Sequence, residues 1–144
     1  MKKSKNKPYI VIDSNIIISA AILPNSVSAE VLRVAIKKYT VCASEATFAE
    51  LAEVIQRKRF DKYFSSSEYT RLEFLSNFHM LCYFFEPSET IKDCIDQKDN
   101  KFLEIAIAAN AEILISGDKK HLLSMNPYRG IQIITAREFL TMNK

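Results

Sequence analysis

Four carboxylates stand at positions where an α/β fold would place its chemistry. Asp13 ends the apolar run IVID, Glu50 lies on the helix that follows a second apolar segment, Asp99 opens a strongly apolar helix, and Asp118 follows Gly117 after a third apolar run. In open α/β sheets ligands bind just beyond the carboxyl ends of the strands, so acids in these places are candidate functional groups. Each also has a plainer reading. Asp13, Ser14 and Asn15 can turn the chain and cap the next helix. Asp99 can be an N-cap favoured by the helix dipole, and Asp118 a turn residue beside Gly117. Glu50 is the most informative, because its neighbours one turn away are Ala46 and Val54 and no cation follows it at three or four residues. Glu53 has Arg57 four positions on and reads as a solvated pair worth about 0.3 kcal/mol.

If the topology brings the four acids to one sheet edge, they repel and require a counter-charge. A divalent cation supplies it. Ligation by carboxylates alone suits Mg²⁺ or Mn²⁺ and disfavours zinc or copper, which take His or Cys. Such an ion can orient water on a phosphodiester and stabilise the charge that develops on phosphate oxygens, so metal-dependent phosphodiester hydrolysis is the chemistry this set suggests. Other chemistries find less support. Cys42, Cys82 and Cys94 show no zinc-ligand or disulfide spacing, which fits a reducing cytoplasm, and no serine or cysteine has an evident base beside it in sequence.

The elements that must position these acids alternate. Residues 8 to 13 read as a strand buried on both faces, at the centre of a sheet. Residues 15 to 37 read as helical with a break at Pro24-Asn25, Ser26 or Ser28 capping the second part, and Tyr39 to Ala43 as the second strand. Ser44 caps a helix over positions 44 to 60, with Phe48, Leu51, Ala52 and Ile55 on its buried face. Ser65 and Glu68 have capping-box spacing before a helix through Leu72, Leu75 and Phe78, followed by a strand from Met80 to Phe85. A buried helix over 99 to 110, strands at 111 to 116 and 131 to 135, a short helical turn through His121 and a terminal helix from Ala136 complete the alternation. It implies an α/β fold with a parallel sheet covered on both faces.

The chain of 144 residues, 48% hydrophobic and 26% charged, is sized for one domain spanning 1–144, and its lysine-rich residues 1–7 read as a solvated tail. Asp13 interrupts what would otherwise imitate a signal peptide, and no apolar stretch reaches the roughly 20 residues of a membrane span, so no membrane partner is expected. The net charge of +3 is compatible with a polyanionic partner. Arg57, Lys58 and Arg59, with Phe60 and Tyr63 nearby, combine phosphate-binding charge with faces that can stack on unpaired bases, or else complement the dipole at a helix end. Lys119 and Lys120 either add to that surface or balance Asp118. His79, flanked by Phe78 and Met80, reads as structural.

IVIDSN, SEATFAELAEVIQRKRF, DQKDNKFLEIAIAA and ILISGDKKHLL, in this order and spacing, resemble the PIN-domain family, closest to its branch of toxin–antitoxin toxins (VapC-like ribonucleases). The likeness runs from Tyr9 to Thr135. It implies a three-layer α/β/α sandwich around a parallel sheet of about five strands, with Mg²⁺ or Mn²⁺ held by Asp13, Glu50, Asp99 and Asp118. The implied activity is endonucleolytic cleavage of single-stranded RNA, as the toxin of a type II toxin–antitoxin pair, with an antitoxin partner and a homodimer as the implied assemblies. Asn15 and Ser116 match supporting polar positions. Related sequences often read Asp-Pro-Lys-Asp where this chain has Asp96, Gln97, Lys98 and Asp99, so Asp96 is a second candidate beside Asp99. Where some members carry a further acid, this chain has Lys119, Lys120 and His121. The rivals are a housekeeping RNA-processing nuclease and a non-catalytic RNA- or protein-binding module. A phosphoacceptor receiver module is a further rival, although it would pair acids after the first strand and this chain has Ser14 and Asn15 there.

Overall fold

The structure is a computed structural model that describes residues 7–64, 70–117 and 120–144. Strand β1 (Tyr9–Ile12) leads into α1 (Ser14–Ile22) and α2 (Val27–Lys38), then β2 (Thr40–Ala43) and α3 (Glu45–Ile55). A 3-10 turn over Lys58–Phe60 runs into the single turn α4 (Asp61–Phe64), followed by α5 (Arg71–Leu81) and β3 (Tyr83–Phe84). A second 3-10 turn, Gln97–Asp99, opens α6 (Asn100–Ala108). The chain ends with β4 (Ile113–Ile115), α7 (Lys120–Leu123), β5 (Gln132–Ile134) and α8 (Ala136–Met142).

The strands form one five-stranded sheet in the order β3-β2-β1-β4-β5, every pairing parallel. Strand β1 is the central one, and all four of its residues are buried because both sheet faces are covered. The side-chain period of two divides the strands between two cores. Ile10, Ile12, Val41, Ala43, Ile113 and Ile115 pack with α1, α2, α3, α5 and α8. Tyr9, Val11, Cys42, Leu114 and Ile133 pack against α6 and Leu122 of α7. The result is the three-layer α/β/α sandwich expected from the alternation of elements.

Local chemistry sets the element ends. Ser26 caps α2 by accepting from the Ala29 N–H at 3.1 Å, and Ser44 forms a capping box with Thr47 at the start of α3. Ser65 and Glu68 lie outside the described residues. Helix α5 begins at Arg71, with Thr70 and Glu73 forming its capping box. The strand expected over Met80 to Phe85 shrinks to Tyr83–Phe84, because Met80 and Leu81 continue α5 and the Cys82 N–H still bonds to the Phe78 carbonyl at 3.1 Å.

The helix expected to reach residue 60 stops at Ile55. Its last carbonyl accepts from Arg71 Nε at 2.7 Å, and Arg71 also pairs with Asp61 at 2.6 Å. The cation at this helix end therefore comes from α5, and Arg57, Lys58 and Arg59 lie beyond the helix. No single described helix is long and apolar enough to cross a membrane; α1 and α2 meet that test only as a pair bent by 108°.

Candidate active site

From β1 the chain moves outward through β2 to β3, then returns to the other side of β1 to form β4 and β5. That reversal creates a crevice between the carboxyl ends of β1 and β4, the place where such sheets bind ligands. Asp13 is the first residue beyond β1 and Ser116 the first beyond β4. The Asp13 N–H extends the ladder by bonding to the Ile115 carbonyl at 3.0 Å, which holds the residue at the seam, and its side chain is fully buried. Oδ1 accepts the Ile16 N–H at 3.2 Å and so caps α1. Oδ2 accepts the Ser116 hydroxyl at 3.1 Å and the Gly117 N–H at 2.9 Å. Capping and placement at the crevice are therefore properties of one carboxylate, not alternatives.

Glu50 reaches the same edge from α3. Its Oε2 accepts the Ser14 hydroxyl at 2.8 Å and its Oε1 accepts from the Lys101 ammonium at 2.6 Å. Both charged side chains are largely buried, at 18% exposure for Glu50 and 23% for Lys101. Sequence offers Glu50 no partner along its own helix, and the ion pair comes instead from 51 residues away. Lys101 is the second residue of α6, where the dipole disfavours a cation, so Glu50 accounts for its position.

Asp99 is buried in the turn that opens α6, and its side chain does not cap that helix. Asp96 is exposed, and its carboxylate accepts the Lys98 N–H at 3.1 Å within the same turn. Asn15 is exposed on the first turn of α1, whereas Ser116 is buried. Asp118 and Lys119 lie outside the described residues. Lys120 and His121, both exposed, begin α7.

The candidate ligands Asp13, Glu50 and Asp99 all offer oxygens, Asp13 and Asp99 are buried, and Asp13 sits at the sheet's switch point with Glu50 bonded to its neighbour Ser14; that chemistry fits Mg²⁺ or Mn²⁺. Among the described residues, however, no three His, Cys, Asp or Glu side chains stand close enough to hold an ion together. Among the described residues, the Lys101 ammonium brings a positive charge into contact with Glu50. Sequence reasoning passed over Ser14, Gly117 and Lys101. The available signal was Lys101, a cation at the dipole-positive start of an otherwise apolar helix.

The basic segment beyond α3 lies about two turns from Glu50. Arg57 pairs with Glu53 at 3.0 Å, as its spacing predicted, while Lys58 and Arg59 are exposed. Arg59 lies over the Phe60 ring at 4.9 Å and Lys62 over Tyr63 at 5.2 Å. A cleft of about 800 Å³ opens between the start of α3 and β3, lined by Ser44, Glu45, Phe48, His79, Phe84 and Pro87 among others. Asp13, Glu50 and Asp99 do not line it, so this cleft and those three carboxylates are separate features. His79 is exposed there, its ring 5.0 Å from Phe48 and 4.5 Å from Phe84.

A switch-point carboxylate within this strand order and three-layer architecture defines a PIN-like α/β/α protein. The PIN domain family model matches residues 9–120, and the chain belongs to the PIN-domain family, whose members are nucleases. It is 31% identical over 148 residues to an uncharacterized protein, MJ1680, of Methanocaldococcus jannaschii, covering 96% of this chain and 94% of that one. A solved structure, VapBC2 from Rickettsia felis bound to a DNA fragment from its promoter, shares the fold. It has a TM-score of 0.60 and 15% identity, and the match covers 88% of this chain and 98% of the solved one.

Proposed function

We propose that the protein is a Mg²⁺- or Mn²⁺-dependent endoribonuclease that cleaves single-stranded RNA in the cytoplasm, as the toxin of a type II toxin–antitoxin pair. The observation that carries this reading is the buried Asp13 carboxylate at the β1–β4 seam, with Glu50 bonded to the adjacent Ser14. A buried anion is costly unless matched by donors and counter-charge. Membership of a nuclease family gives that cost a purpose.

Asp13, Asp99 and Asp118 are the residues that would hold the ion, with Glu50 completing the set or orienting the attacking water. When bound, the ion neutralises the acids, lowers the pKa of water and stabilises charge developing on the phosphate. The chain contributes preorganisation. The Ile16 N–H fixes one Asp13 oxygen while Ser116 and Gly117 fix the other, and Ser14 and Lys101 fix Glu50. Asn15 is exposed beside Asp13 and free to approach substrate. Lys58, Arg59 and Lys120 are exposed and would supply phosphate contacts, as would Arg57, and Phe60 and Tyr63 would supply stacking faces; Lys119 is proposed for the same role from the sequence alone.

The structural neighbour from Rickettsia felis is a VapBC2 complex, which supports an antitoxin protein as this chain's partner; a small neighbouring reading frame that encodes one would favour the toxin reading over an RNA-processing nuclease. A homodimer belongs to the same reading. The test is incubation of the purified chain with single-stranded and duplex RNA of one sequence, with Mn²⁺, Mg²⁺ or EDTA. Cuts in the single strand that need the divalent ion are expected. Cleavage indifferent to EDTA, or confined to duplex, contradicts the proposal.

A further inference from the structure

We infer that Lys101 is a positioning residue that acts as a resident cation: its ammonium shares the Glu50 carboxylate with the divalent ion, which therefore binds by exchange at Glu50. The inference rests on the metal-dependent reading above and concerns what sets the ion's affinity. Both Glu50 oxygens already accept, Oε1 from Lys101 and Oε2 from Ser14; lone pairs remain, but the ammonium and a divalent ion drawing on the same carboxylate repel each other, so binding of the ion opposes the Lys101 contact. Ser14 is buried and fixed by the turn that carries Asp13. Lys101 has a flexible four-carbon stem and three rotatable donors, so it is the partner that can yield.

The pair differs in kind from the chain's surface ion pairs. Glu30–Arg33 and Glu53–Arg57 join residues three or four apart on one helix, and their side chains are 47% to 64% exposed. Lys101 and Glu50 join α6 to α3 and are 23% and 18% exposed. Screening by water is weaker there, so charge exchange carries a larger free energy. The placement also runs against the α6 dipole, a cost that surface packing alone leaves unexplained.

The experiment is Mn²⁺ binding by the RNA-free full chain, followed by electron paramagnetic resonance and calorimetry. Lys101→Gln and Lys101→Met remove the competing cation and tighten Mn²⁺ binding by about tenfold, whereas Lys101→Arg keeps it and stays within about twofold of the parent. In a Glu50→Gln background the contested carboxylate is gone, and Lys101→Gln then produces no further change. Thermal unfolding and near-ultraviolet circular dichroism on each variant confirm that folded protein is being titrated. Unchanged or weaker binding in both charge-removing variants overturns the inference and leaves the metal reading standing. Equal tightening in the Glu50→Gln background overturns it as well, since the effect would then be a general field. Absence of Mn²⁺ binding in the parent and both variants overturns the metal reading along with it.

Discussion

Two polar clusters in this protein are built from the same parts, yet they do different work. At the β1–β4 seam, Asp13, Ser14, Glu50, Lys101, Ser116 and Gly117 bring together segments more than a hundred residues apart, as in the Ser116–Asp13 bond. Elsewhere in the molecule, Tyr128 donates to Asp93, and Arg129 pairs with Glu89 at 2.9 Å and lies 3.8 Å from Asp93. Each has acids, a cation and a hydroxyl. The difference is burial. Asp13 is fully buried, whereas the side chains of Arg129, Glu89 and Asp93 are 45%, 42% and 54% exposed. The second cluster latches the connection between β3 and α6 to the turn before β5, and water shares its charges. The first keeps a carboxylate out of water at a ligand-binding crevice, where protein donors and a counter-ion must do what water does elsewhere.

That contrast can be broken most forcefully by deleting one acid from each cluster. Asp13→Ala leaves the Ile16 and Gly117 N–H groups and the Ser116 hydroxyl without this acceptor, so it costs about 3 kcal/mol in urea unfolding, against about 1 kcal/mol for Asp93→Ala. Equal costs would erase the distinction. Next in size is Tyr128→Phe, which removes one hydrogen bond to a carboxylate and costs about 1 kcal/mol while RNA cleavage stays at the parent rate.

This second effect carries a pH signature. Burial first, then the hydrogen bond to Asp93, raises the Tyr128 pKa above its ordinary value. A phenol with a raised folded pKa adds stability that is complete below the unfolded value of about 10 and disappears as pH climbs through the folded value. The gap between parent and Tyr128→Phe should therefore be constant at neutral pH and close only in strongly alkaline buffer; a gap that closes below pH 8 contradicts the assignment. Smallest is Arg129→Gln, an exposed pair partner, whose thermal unfolding midpoint should stay close to the parent's.

Much of the scaffold was legible because its signals are periodic and local. An unbroken run of buried residues marked β1 as central, Ser44 marked one helix start and the pair Ser26 and Ser28 another, and the spacing of Glu53 and Arg57 announced their ion pair. Element ends were harder where tertiary contacts decide them. Arg71, 16 residues away, closes α3 at Ile55, and nothing in the run Arg57, Lys58, Arg59 indicates that the helix has already stopped.

The same limit applies to the site. The placement of Asp13 and Glu50 after strands could be read from the order of segments, but apart from the local Ile16 cap the bonds that fix their side chains span 36 to 104 positions. Ser14 looked like a turn residue and Lys101 was passed over. Only the packing of α6 against α3, β1 and β4 brings Lys101 to Glu50.

The central claim is that the buried Asp13 carboxylate is functional and not merely a cap for α1. Asp13→Asn tests it most directly, because the amide keeps an oxygen that can accept from the Ile16 N–H or from Ser116 and Gly117 but removes the negative charge. The measurement is the rate of Mn²⁺-dependent cleavage of a defined single-stranded RNA, on protein whose thermal unfolding verifies the retained fold. The account predicts a fall of at least about a hundredfold. Cleavage at the parent rate by folded Asp13→Asn protein would contradict it.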